Sequence, residues 1–170
     1  MKRIQSIKMQ YDQIAKNARK TIERVPDDKF SWKPHEKSFS MGDLATHIAN
    51  LQTWINMSLD SDKFDMHPVD GERVQSPKAS NQKELIELFD RSFESAKKCL
   101  ESTPDEKLDE NWSLLNQGQV LFTMPKISVV RTFVLHHLIH HNAQLGVYLR
   151  LNDIPVPAIY GPSADEDIMH

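Results

Sequence analysis

His137 and His141 stand four residues apart in a stretch that packs four of the chain's eight histidines into six residues. That stretch, ISVVRTFVLHHLIHHNAQLGVYLRL from Ile127 to Leu151, reads as one long helix. At about 100° per residue, Val130, Val134, Leu138, Leu145 and Tyr148 make one apolar stripe, and His137 and His141 point into it one turn apart. A second pair, His136 and His140, lies to one side, at an edge that solvent or a neighbouring subunit would meet. An imidazole buried without partners costs on the order of a few kcal/mol. The inward pair therefore needs hydrogen-bond partners across a bundle, or a divalent ion to which each neutral ring gives one nitrogen.

A third histidine, His47, lies on the apolar face formed by Leu44, Ile48, Leu51, Trp54 and Ile55, at the centre of that face. Three inward histidines on two helices are better explained by one shared ion than by three separately satisfied rings. Imidazoles suit zinc or nickel, with iron or manganese as further choices. Three protein ligands leave a position for water or substrate, which is the pattern of a catalytic site. An ion there would make a bound thiol or water lose its proton near neutral pH. The run His137-Leu138-Ile139-His140-His141 lacks the glutamate that follows the first histidine of HExxH, which excludes the zinc-protease mechanism.

Four helices must position these rings. Ile4, Ile7, Tyr11, Ile14, Ala18, Ile22 and Val25 recur at steps of three and four, giving a helix over 2–25. Ser40 and Asp43 have capping-box spacing and open a second helix over 41–58. Asn81 and Glu84 open a third over 82–101, with Leu85, Leu88, Phe89, Phe93, Ala96 and Leu100 inward, and the fourth covers 127–151. The polar link 59–79 is long enough to cross between parallel helices. Within 112–124, Val120, Phe122 and Met124 alternate against Leu121 and Thr123 as in a short strand, and the stretch is expected as an extended segment laid on the bundle. The segment 30–39 reads as a link whose Trp32 and Phe39 fold back on the core, and the proline-rich tail 152–170 carries no regular structure. The pattern predicts an all-α fold, a four-helix bundle in a single domain over 1–170.

The composition narrows the function. Net charge is -3 with basic and acidic residues interspersed, so nucleic acid is not expected as a partner, since phosphate binding needs a concentrated positive face. No apolar run approaches the roughly 20 residues of a membrane span, and the N-terminus has no apolar signal core. We expect a cytoplasmic protein with a small-molecule substrate. The single cysteine, Cys99, excludes an internal disulfide or a cysteine cluster and is expected as a buried helix residue. His35 and His67, each beside a proline, are expected in solvated links, and His170 at a frayed end.

The residues then match a known pattern. The chain resembles the DinB/YfiT-like superfamily of metalloenzymes along nearly its whole length: SFSMGDLATHIANL from Ser38 to Leu51, the His137–His141 pair followed by Gln144, and YLRLNDIPVPAIYGPSADE from Tyr148 to Glu166. Many relatives read His-Arg-Gly-Gln where this chain has His141-Asn142-Ala143-Gln144, so any role of that arginine is absent. The resemblance implies an up-down-down-up bundle with the crossover between helices two and three. It also implies a homodimer and a metal site made by His47, His137 and His141. Gln144 is placed to orient a ligand or bound water. Characterised relatives use low-molecular-weight thiols such as bacillithiol or mycothiol, which points to a thiol S-transferase. The alternatives are a hydrolase that activates water, with a carboxylate of the 59–79 link as base, a non-catalytic metal-binding stress protein, or a helical interaction module whose histidines are simply hydrogen-bonded.

Overall fold

The structure, a computed structural model, describes residues 2–71 and 75–167; His170 lies outside them. Helix α1 (Arg3–Ile22) buries Ile4, Ile7, Tyr11, Ile14, Ala18 and Ile22, the residues that recur at steps of three and four. Helix α2 (Met41–Leu51) starts at Ser40, whose Oγ accepts from the Asp43 amide at 3.1 Å and donates to Asp43 Oδ2 at 2.7 Å. The amides of Met41 and Gly42 donate to the Trp32 and Phe30 carbonyls, both at 2.9 Å. This approach requires glycine at 42, because a Cβ there would stand 2.5 Å from Phe30 Cδ1.

The helix expected over 41–58 is two helices, α2 and α3 (Trp54–Asp60). The join is set by polar chemistry. Both the amide and the Oγ1 of Thr53 donate to the Asn50 carbonyl, at 3.0 and 2.8 Å, which tightens the turn. Gln52 is fully buried beside it. Its Oε1 accepts from the Tyr11 hydroxyl at 2.6 Å, and its Nε2 donates to the carbonyls of Ala49 and Phe89 at 3.3 and 3.4 Å. Helix α4 (Gln82–Ser102) begins at Asn81, whose side chain accepts from the Glu84 amide. It packs on α1 and α2.

The fourth helix is continuous but not uniform. It runs as α5 (Lys126–Val129), a π-helical segment Val130–His136, and α6 (His137–Arg150), which packs on α1 and α2. Val130, Val134, Leu138, Leu145 and Leu149 are fully buried against the other three helices.

The all-α expectation is corrected by a three-stranded sheet: β1 (Lys63–Asp65), β2 (Asn111–Asn116) and β3 (Gln119–Pro125), in the order β1-β2-β3. β2 and β3 form an antiparallel hairpin, and β1 lies parallel to β2. Gln117 and Gly118 take positive φ, 52° and 74°, the backbone that a two-residue hairpin turn requires. Asp65 ties β1 to this turn by accepting from the Gln117 and Gly118 amides at 3.1 and 2.7 Å. Trp112 and Leu114 point inward and pack with Val129, Met57, Phe122 and Phe133. The 59–79 link is thus partly structured: it begins in α3, adds β1, and bonds His67 Nδ1 to Asn116 Oδ1 at 2.7 Å.

Two further features hold the bundle. Lys126, wholly buried, donates from Nζ to Asp62 Oδ1 at 2.8 Å and to the Leu59 carbonyl at 3.4 Å, and lies 3.0 Å from Glu110 Oε2. The tail is laid over the bundle and fastened by ion pairs of Arg24 with Glu166 and Arg150 with Asp165. Ile154, Val156 and Ala158 make its apolar contacts, while Tyr160 is exposed. Phe39 is likewise exposed, unlike Trp32, which packs edge-on to Tyr148 at 5.5 Å. Cys99 is buried on α4, and burial pushes its thiol up to about 11. Among the described residues, no helix is long and apolar enough to cross a membrane.

Candidate metal centre

α2 and α6 lie side by side, and this contact brings His47 against His137 and His141. The ring centroids are 5.2 Å apart for His47 and His137, 4.7 Å for His47 and His141, and 4.5 Å for His137 and His141. One ring nitrogen from each can be chosen so that all three lie within 4.8 Å of one another. All three residues are half-buried, so the site opens at the bundle surface. His47 sits at the rim of the α2 apolar face and not at its centre. The reason is that α2 places Asp43, Thr46, His47 and Asn50 on one polar stripe, within an arc of about 100°, while Leu44, Ile48 and Leu51 take the core.

One of the rings is already fixed from behind. His141 Nδ1 donates to Gln144 Oε1 at 2.7 Å, which leaves Nε2 with its lone pair. His137 follows the π-helical segment, whose Phe133 carbonyl favours its protonated form. The His47 ring makes no hydrogen bond to another described residue. Burial, then the neighbouring His141 and His137, pushes its pKa down to about 4. Burial also lowers the pKa of His137 and His141, despite the opposing effects of the Phe133 carbonyl and the Gln144 side chain. Three rings kept neutral, one with a nitrogen already occupied by an oxygen acceptor, are the donor set that a late divalent ion takes. The residues fit such an ion.

His136 and His140 are exposed, as their edge position implied; the His140 ring stands 5.0 Å from that of His141. His35 is exposed, and its Nδ1 accepts from the Lys37 amide.

The sequence profile of the DinB family matches residues 7–167. The chain belongs to the DinB family. Two solved DinB-like proteins have the same fold. The one from Bacillus cereus superposes with a TM-score of 0.71 at 19% identity, covering 92% of this chain and 97% of that one. YjoA from Bacillus subtilis gives 0.68 at 19% identity, covering 96% and 99%. No curated protein matches the sequence.

This DinB chain also has a feature that the histidine pattern alone does not reveal. A cleft of about 280 Å³ opens beside His47, lined by Phe39, Asp43, Thr46 and Asn50 on one side and by Ser76, Pro77 and Lys78 on the other. Its signal was the spacing of the polar residues on α2, which share the face of His47; Lys78 and Phe39 come from links whose paths have no periodicity to read.

Proposed function

We propose that this DinB-family chain is a divalent-metal enzyme, with zinc or nickel held by His47, His137 and His141, acting as a thiol S-transferase. The observation that carries the proposal is the convergence of three neutral imidazoles from two distant segments. When bound, the ion supplies Lewis acidity that draws the proton from a coordinating thiol near neutral pH. The chain does the rest. Gln144 holds the His141 ring in the tautomer that aims a lone pair at the ion. The cleft beside His47 admits the small molecule from the open side. We take the whole of 1–170 as one domain working in the cytoplasm, where low-molecular-weight thiols are kept reduced.

The hydrolase alternative draws its base from the carboxylates of the 59–79 link. Asp62 pairs with Lys126, Asp65 caps the hairpin turn, and Asp60 accepts from Cys99, so these three acids are committed to structure. The test is conjugation: metal-loaded protein, a low-molecular-weight thiol and monochlorobimane should give thiol adduct at a rate that His141→Ala abolishes. Ester turnover without thiol would favour the hydrolase instead.

We further propose a homodimer. An apolar groove of about 760 Å³ between α1 and the fourth helix is lined by Met9, Ile14, Leu135, Ile139 and Tyr160, and Met9 and Tyr160 are largely exposed there. The exposure of these apolar side chains on one face supports the pairing.

A further inference from the structure

We infer that the cleft beside His47 recognises a small zwitterion, with Asp43 taking its ammonium and Lys78 its carboxylate; the inference rests on the thiol-transferase reading and specifies its substrate class. α2 is otherwise an apolar helix, yet its four polar side chains beyond the cap share one stripe, and all four line the cleft. Asp43 is held in place because its Oδ2 accepts from Ser40 at 2.7 Å. Its other carboxylate oxygen has no partner among the described residues. Lys78, exposed on the facing wall, forms no ion pair with any described carboxylate. Opposite charges therefore face one cleft without closing on each other, an arrangement suited to a ligand that carries both. The Thr46 hydroxyl and the Asn50 side-chain amide likewise make no hydrogen bond to another described residue, which leaves them to a polar ligand.

Size and position agree. At about 280 Å³ the cleft is smaller than the range of about 300–1,000 Å³ typical of drug-sized ligands, so it suits a molecule of amino-acid dimensions. His47 forms part of its wall, and the Phe39 ring lies 6.0 Å from the His47 ring. A ligand anchored at Asp43 and Lys78 thus presents its third substituent to the histidine cluster. An α-amino carboxylate whose side chain ends in a thiol has this shape.

The test uses the full chain loaded with cobalt(II), whose visible spectrum changes when a thiol binds, and four thiols: L-cysteine, cysteamine, 3-mercaptopropionate and 2-mercaptoethanol. Each thiol is compared between wild type and variant, which cancels differences in thiol acidity. Lys78→Gln should raise the Kd of L-cysteine and 3-mercaptopropionate by about threefold to fivefold and leave cysteamine unchanged. Asp43→Asn should raise the Kd of L-cysteine and cysteamine and leave 3-mercaptopropionate unchanged. Neither should alter 2-mercaptoethanol. A spectral response that both variants leave unaltered, or weaken equally for all four thiols, overturns this inference alone. Failure to bind cobalt, or a cobalt spectrum that no thiol perturbs, overturns the thiol-transferase reading and this inference with it.

Discussion

Gln144 is exposed, and its one described contact is the acceptor it offers to His141 Nδ1 at 2.7 Å, so its contribution is to ring orientation and not to packing. Gln144→Leu should therefore lower metal affinity by about 10-fold or more while leaving thermal stability nearly unchanged, as chelator competition and a melting curve would establish. His136→Ala, on the exposed edge, should change neither. The ring pKa values give a second expectation. The folded value for His47 is pushed down to about 4, below the unfolded value of about 6.5. Between those values the unfolded chain takes up a proton that the folded chain does not, so metal-free stability is full above about pH 6.5 and declines as pH falls toward about 4. Denaturant titrations from pH 7 to 4 would reveal the slope, and His47→Gln should reduce it, leaving the share of His137 and His141. The three histidines were legible from helical spacing because two lie at i and i+4 and the third faces them from an apolar helix. Their half-burial was not, since it depends on which edge of α2 meets α6.

At the scale of elements, the four helices follow from apolar periodicity and their caps at Ser40 and Asn81, but two local events escape it. The α2–α3 join depends on the buried Gln52, whose partners Tyr11 and Phe89 come from other helices. The π-helical segment keeps Val130, Val134 and Leu138 buried just as a regular helix would, so the same apolar residues are compatible with both. The sheet escaped because its core residues are few: one strand was visible in the alternation from Val120 to Met124, but its partners needed the turn at Gln117-Gly118 and the short β1. Trp112 is the anchor of that sheet, 1% exposed. Trp112→Ala should cost about 3–5 kcal/mol, measured by urea unfolding. Lys126→Met removes a buried cation whose carboxylate partners are both largely solvated, so no charge is stranded. The loss should be the charge-assisted hydrogen bonds, about 1.5–3 kcal/mol, and it should shrink at acid pH. The hydrogen bond and charge of Lys126 hold Asp62 below the usual carboxylate range, and that stabilisation is lost as pH falls through the folded value.

At the scale of the whole molecule, the bundle serves to hold two helices at the separation that lets three rings meet, and the sheet and tail brace the ends of the long fourth helix. The proposed pairing of copies through the groove at Met9 and Ile139 predicts that Ile139→Glu converts a dimer to a monomer in light scattering without loss of bound metal. The most direct test of the central claim is metal content by elemental analysis of protein purified without a histidine tag, for the wild type and for His47→Ala. His47 is the decisive position because it reaches the cluster from a different helix, some 90 residues earlier in the chain. The wild type should carry about one divalent ion per chain and His47→Ala almost none. A wild type free of metal after incubation with zinc and nickel, or a His47→Ala protein that retains the full complement, would contradict a shared three-histidine centre.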